Sequence, residues 1–225
     1  MENAPLIRTR ELAFAYEDHR RVLEGVDFEL YEGESVGLVG NNGSGKTTFL
    51  HLLVGLLKPN GGTLEVLGRP RREERDFHEV RANLGLLFQD PDDQLFCPTV
   101  EEDLAFGPLN LGASLPEARE RARETLALLG LEGFERRITH HLSGGEKNLV
   151  SLGTLLTMRP KVLLLDEPTA SLDEPTQARI TEILYNLPQA KIVVSHEPDF
   201  LEQVTTRTCR MLSGRIRTWD LGPRT

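Results

Sequence analysis

Residues Gly40-Asn41-Asn42-Gly43-Ser44-Gly45-Lys46-Thr47 fit in full the pattern G-x-x-x-x-G-K-[ST], the P-loop that wraps phosphate. Glycines let the backbone approach the phosphates closely, and its N–H groups add to the positive end of the following helix. Lys46 has the reach and charge for β- and γ-phosphates, and Thr47 offers a hydroxyl to Mg²⁺. A second constellation lies far down the chain, where the apolar run Val162-Leu163-Leu164-Leu165 ends in Asp166-Glu167. Ligands of open parallel sheets bind at the carboxyl ends of strands, so Asp166 is expected on the P-loop side, where a carboxylate can hold a Mg²⁺ shell. Glu167 is then placed to orient or deprotonate an attacking water, work that typically contributes about 10²–10⁴ in rate. On its own such an acidic pair could merely cap the next helix; beside a P-loop it points to nucleotide hydrolysis.

These residues need elements that hold them. Val36 to Val39 reads as a buried strand and Thr48 to Val54 as a helix start, the strand–loop–helix order that a P-loop requires. Ahead of them, Leu6 to Tyr16 and Val26 to Tyr31 predict an antiparallel, hairpin-like sheet around the charged Glu17 to Arg21. Strands are expected at Thr63 to Leu67 and Asn83 to Phe88. From Thr99 to about Arg137 the texture turns helical, with breaks expected at Gly107-Pro108 and Gly130. The core resumes with a helix near Gly145 to Met158, a strand at Val162 to Leu165, a helix near Pro175 to Leu187 and a strand at Ile192 to Val194. Arg207 to Trp219 predicts two short strands turning at Ser213-Gly214. The expected architecture is one α/β domain over 1–225: a P-loop core with an antiparallel β subdomain (about 1–90 and 159–225) and an inserted helical subdomain (about 91–158).

The 225 residues suffice for one sizeable core, and 39% hydrophobic with 27% charged residues is ordinary for a globular chain. A net charge of −9 argues against a broad nucleic-acid footprint, which needs a basic face. Cys97 and Cys209 are far apart and have no metal-ligand spacing, so both are expected to be reduced and structural. No signal peptide is expected at Met1 to Pro5, and no apolar run approaches the roughly 18 residues that span a bilayer. Service to a membrane would therefore go through a partner. Arg69 to Arg75 reads as a solvated mixed-charge stretch, and His51, His78, His140 and His141 carry no placement that suggests chemistry.

Leu142-Ser143-Gly144-Gly145-Glu146, about twenty residues before the acidic strand, resembles the signature motif of ATP-binding cassette (ABC) ATPases. Physically, Ser143-Gly144-Gly145 opens a helix and so makes a second anion-binding end, although a simple Ser143 cap is the plainer alternative. The resemblance implies two copies head to tail, each signature completing the ATP site of the other. It implies ATP contacts from Asn41, Asn42, Gly43, Ser44, Gly45, Lys46, Thr47 and Thr48, with Ser143, Gly144 and Gly145 acting in trans. Tyr16, 24 positions before Gly40, resembles the adenine-stacking aromatic. Gln89 matches the Q-loop glutamine that touches Mg²⁺ and water, so the implied metal set is Thr47, Gln89 and Asp166. Ser171-Leu172-Asp173 matches the D-loop, and His196 the switch histidine at the γ-phosphate. The implied catalytic set is Glu167, His196, Gln89 and Lys46. One departure stands out: Glu146 replaces the usual glutamine, and it is expected to point away from any γ-phosphate.

Phe88-Gln89-Asp90-Pro91-Asp92-Asp93-Gln94-Leu95-Phe96 and Thr99 to Pro108 are closely similar to the ATPases of energy-coupling factor (ECF) importers for cobalt, nickel or vitamins. That likeness implies an identical or paralogous second ATPase, a transmembrane coupling subunit and a substrate-binding membrane subunit. It also implies a peripheral place on the cytoplasmic face of the membrane. Leu95 and Phe96 are expected to cradle a coupling helix. A chromosome-associated ATPase is disfavoured, since only about a hundred residues without heptads separate Lys46 from Ser143. A ribosome-acting protein would be expected to carry two cassettes in one chain. The Asp90 to Phe96 run disfavours an ordinary solute importer or an exporter.

Overall fold

A computed structural model describes residues 4–17 and 21–219. Two sheets and seven α-helices form the molecule among these residues. The first sheet pairs β1 (Ile7–Ala15), β2 (Arg21–Leu30), β4 (Gly61–Val66) and β5 (Arg69–Pro70) antiparallel, in the order β2-β1-β4-β5. The second runs β10-β9-β3-β8-β7-β6, built from β3 (Ser35–Val39), β6 (Leu84–Leu87), β7 (Val162–Asp166), β8 (Ala190–Val194), β9 (Arg207–Leu212) and β10 (Arg215–Trp219). Five of its strands, β9-β3-β8-β7-β6, run parallel, and β10 closes one edge antiparallel.

The period-2 alternation of a strand explains how one run serves two cores. On β7, Val162 and Leu164 join the core shared with the antiparallel sheet and α1 (Lys46–Leu53), where Phe49 packs edge-on to Phe28. Leu163 and Leu165 face the other core, filled by α3 (Val100–Asn110), α4 (Leu115–Leu129), α5 (Gly144–Leu156), α6 (Glu174–Asn186) and α7 (Pro198–Val204). All five β7 residues are buried, which is why the run is apolar until it reaches its ligand-bearing end.

One expectation needs correction. The break at Gly107-Pro108 does not occur, since α3 runs through both to Asn110. Its start is fixed by a reciprocal Thr99–Glu102 capping box, and buried Leu104 and Pro108 anchor it against its neighbours. Gly107 is needed for closeness rather than for a turn: a Cβ there would lie 2.6 Å from Met158 Cγ. Packing thus outweighs the poor helix propensity of both residues. The short helices α2 (Phe77–Asn83) and α7 were not foreseen, because seven residues are too few to display a helical period. Gly130 ends α4 in the left-handed conformation, as expected.

Candidate active site

The P-loop joins the end of β3 to α1, and Gly45 is the N-cap of that helix at φ 106°. A side chain at 45 would be strained by that backbone and would meet Leu23 Cδ2 at 2.8 Å, so only glycine suits the position. The loop is drawn tight by the Ser44 N–H, which donates to the Asn41 carbonyl at 3.0 Å. Inside it, the buried Lys46 Nζ donates to the Gly40 carbonyl at 2.8 Å and the Asn41 carbonyl at 3.3 Å. Burial lowers the Lys46 pKa, opposed by the charges of Glu167 and Asp166. Ser44 Oγ is buried with no hydrogen-bond partner among the described residues, an orphaned donor in a cradle of N–H groups. The loop is therefore chemically matched to phosphate oxygens.

Parallel pairing of β7 with β8 and of β8 with β3 brings Asp166 to the P-loop. Thr47 Oγ1 donates to Asp166 Oδ2 at 2.6 Å, a pair of hard oxygens that fits Mg²⁺. Burial raises the Asp166 pKa, opposed first by the Thr47 hydrogen bond. The next residue turns sharply. Glu167 sits at φ 51°, a left-handed conformation that costs of order 1–3 kcal/mol for a residue with a side chain. Its N–H donates to the Val194 carbonyl at 2.9 Å, and its Oε1 lies 3.2 Å from His196 Nε2. Burial raises the Glu167 pKa, and His196 is the largest influence in the other direction.

An open cleft of about 650 Å³ gathers Tyr16, Asn42, Gly43, Gly45, Lys46, Thr47, Thr48, Gln89, Asp166, Glu167, Ser171 and His196 on one wall. Tyr16, at its mouth, stands edge-on to Phe14 with ring centroids 4.9 Å apart and shares a 3.2 Å hydrogen bond with Thr48 Oγ1. Arg21 and Val22 also line the cleft and belong to no motif, so nothing in the sequence marked them. His51, read as bland, lines the adjoining pocket with Thr47, Gln89 and Asp166. That placement was legible: His51 is one helical turn beyond Thr47 and shares its face.

The segment that carries Gln89 is anchored through Gln94. Gln94 accepts the Phe88 N–H at 3.2 Å and donates to the Ser151 carbonyl and Thr154 Oγ1, both at 2.7 Å, on α5. The Gln89 segment is thereby tied to the helix that Ser143 opens.

Ser143, Gly144 and Gly145 do not line the P-loop cleft. Ser143 caps α5: its Oγ accepts the Glu146 N–H at 3.3 Å and its own N–H donates to Glu146 Oε2 at 2.7 Å. Glu146 also pairs with Arg137 Nη1 at 3.0 Å, so its carboxylate folds back onto the cap. The Ser143 N–H hydrogen bond is the main reason its pKa is lowered. The two glycines differ. A Cβ on Gly145 would lie 2.9 Å from Thr176 Oγ1, whereas one on Gly144 would meet nothing within 4 Å.

Leu95 and Phe96 part company as well. Leu95 is buried in the second core, which corrects its expected place on a docking surface, whereas Phe96 is 62% exposed. Phe96 stands edge-on to the exposed Phe106 with centroids 4.8 Å apart. Both cysteines are free; burial pushes the Cys97 thiol up to about 11, and Cys209 is buried.

A P-loop facing a carboxylate strand, with a separate glycine-opened helix, defines a P-loop ATPase of the ABC type. The profile of the ABC transporter family matches residues 23–170. The energy-coupling factor transporter ATP-binding protein of Methanocaldococcus jannaschii is 43% identical, over 94% of this chain and 77% of its own length. The structure of cbiO1 from Clostridium perfringens, part of the ABC transporter complex cbiONQ, superposes with a TM-score of 0.85 at 32% identity, covering 96% of this chain and 88% of that one. A dimeric ATP-binding cassette in a post-hydrolysis state, bound to ADP and Pi, gives 0.87 at 25% identity, covering 97% and 100%. The chain belongs to the ABC transporter family, among ATP-binding subunits of the energy-coupling factor type, and is an ATP hydrolase.

Proposed function

We propose that this ATPase powers an ECF-type importer of a transition metal ion (cobalt or nickel) or a vitamin, working peripherally on the cytoplasmic face of a membrane. One observation carries the mechanistic part: Ser143–Gly145 are absent from the lining of the P-loop cleft of their own chain, and of the three only Gly144 borders the adjoining pocket. The ATP site is then completed by a second ATPase subunit, identical or paralogous. A transmembrane coupling subunit and a substrate-binding membrane subunit supply the path and the cargo recognition. The importer reading is supported by the likeness to the M. jannaschii coupling-factor protein and to cbiO1. Among the described residues no helix is long and apolar enough to cross a membrane.

In this reading Lys46 exchanges its two loop carbonyls for β- and γ-phosphate oxygens, and Ser44 and the loop N–H groups hold the same phosphates. Tyr16 stacks on adenine. Thr47, Asp166 and Gln89 would hold Mg²⁺, which would neutralise charge on the phosphates. Glu167 takes the proton of the attacking water, while His196 and Lys46 stabilise the transferring phosphoryl group. Residues of about 91–158 move as a helical unit that carries Ser143 onto the partner's ATP.

The test is a pair of variants. Glu167→Gln is expected to bind ATP, lose about 10²-fold or more in turnover and accumulate as a closed dimer on size exclusion. Ser143→Arg is expected to abolish turnover while the monomer's ATP affinity stays within about two-fold. Unchanged turnover in the first removes Glu167 from its role as base; lost ATP binding by the monomer in the second refutes the composite site.

A further inference from the structure

We propose that Asp103 is a positioning residue that sets Ser143 for its partner's nucleotide by locking the segment at Phe96 to the segment that leads into the signature helix. The inference rests on the composite-site reading above. Asp103 is a carboxylate only 3% exposed, on the buried side of α3. It makes contact in two directions. Oδ1 accepts the N–H groups of Phe96 at 3.1 Å and Cys97 at 2.9 Å, and Oδ2 accepts the Thr139 hydroxyl at 2.9 Å. Thr139 is itself buried and opens the single 3₁₀ turn, Thr139–His141, that precedes Leu142 and Ser143.

The backbone around this carboxylate is already laced together. The Val100 N–H donates to Arg137 O at 3.1 Å, Glu101 N–H to Glu135 O at 3.0 Å and Thr139 N–H to Pro98 O at 3.1 Å. Asp103 is the side-chain clasp on that lacing. It is where the strip bearing the exposed Phe96 meets the strip ending at Ser143. Three donors converge on one buried carboxylate, so removing it leaves two half-buried amides and a buried hydroxyl without their partner. The clasp is separate from Gln94, which ties the Gln89 end of the same strip to the middle of α5. Displacement of Phe96 by a partner is thereby passed through Asp103 and Thr139 toward Ser143.

Geometry, rather than charge, is what the clasp supplies. In Asp103→Asn the amide oxygen accepts both N–H groups, and its NH₂ donates to Thr139, whose hydroxyl turns to accept. The experiment compares Asp103→Ala, Asp103→Asn and Thr139→Val in the purified full chain. ATP binding to the monomer is measured alongside the ATP concentration that half-saturates hydrolysis. Asp103→Ala is expected to raise the half-saturating concentration about ten-fold, with monomer ATP affinity within two-fold of the parent. Thr139→Val is expected to do the same in smaller measure, and Asp103→Asn to behave as the parent. An unchanged half-saturation in both Thr139→Val and Asp103→Ala overturns the proposal, as does an Asp103→Asn variant as impaired as the alanine. Should Asp103→Ala fail to fold, Thr139→Val decides: loss of monomer ATP affinity in step with turnover means a purely structural role and also overturns it. Failure of the composite site itself is read separately, from Ser143→Arg retaining turnover.

Discussion

At the scale of single residues, the Glu167–His196 contact makes the pH dependence a test of roles. Burial holds the Glu167 pKa above its ordinary 4.5, and His196 works against that shift. Only the carboxylate can accept a proton from water. Turnover by a Glu167 base therefore falls as pH drops through the raised value, at a higher pH than an exposed glutamate would give. His196→Ala removes the largest influence that favours the anion, so the acid limb should move further up in pH while the maximal rate falls. Single-turnover rates from acid to neutral pH measure this. An acid limb that stays put in His196→Ala means that another group titrates.

At the scale of elements, the helical subdomain is held by close approach as much as by apolar burial. Gly153 sits inside α5, where an added Cβ would come within 2.8 Å of Leu104 Cδ2 on α3 and 2.9 Å of Leu129 Cδ1 on α4. Both leucines are fully buried, so they have little room to give way. Overpacking costs about 1–3 kcal/mol, while alanine in place of a helical glycine returns up to about 1 kcal/mol. Gly153→Ala should therefore lower the urea midpoint, by about 1 kcal/mol of unfolding free energy; a raised midpoint would mean that the three helices can separate freely.

Gly153 also shows which features the sequence made legible. The P-loop, the acidic strand end and the capped start of α5 each rest on local chemistry, and each stands where the residues place it. What escaped depends on neighbours far along the chain. Gly107-Pro108 looks like a stop until Met158 and buried Leu104 are known. Leu95 and Phe96 are alike in type, and only the fold sends one inward and the other out. Gln94 and Asp103 stand in runs whose likeness to the ECF ATPases assigns neither a role, and part of what each holds lies 36 or more positions away, in α5 and at Thr139. Arg21 and Val22 reach the cleft only because β2 runs beside it.

At the scale of the whole molecule, the exposed aromatic pair is the feature that a lone chain does not explain. Phe96 and Phe106 meet edge to face at the surface, with Leu109 and Leu111 also exposed at the end of the helix that carries Phe106. Exposed apolar residues gathered in this way mark interaction sites. Replacing Phe96 and Phe106 together by aspartate should leave isolated ATP binding intact and sharply reduce co-purification with the proposed transmembrane partner. Undiminished association would place the membrane contact elsewhere. The outcome also fixes what Leu95 does, since its burial predicts that Leu95→Asp loses stability instead.

The unequal surroundings of Gly144 and Gly145 have a consequence for how this chain can drift. Position 145 is closed from within by Thr176; position 144 faces open space. A library randomised at both sites and sorted only for folded protein should accept many residues at 144 and few at 145. The same library sorted for ATP-driven growth should empty 144 too, because in the proposed composite site the nucleotide that approaches that face is held by another chain. Tolerance that depends on the selection applied would record, within one protein's own mutational history, the presence of a neighbour it cannot work without.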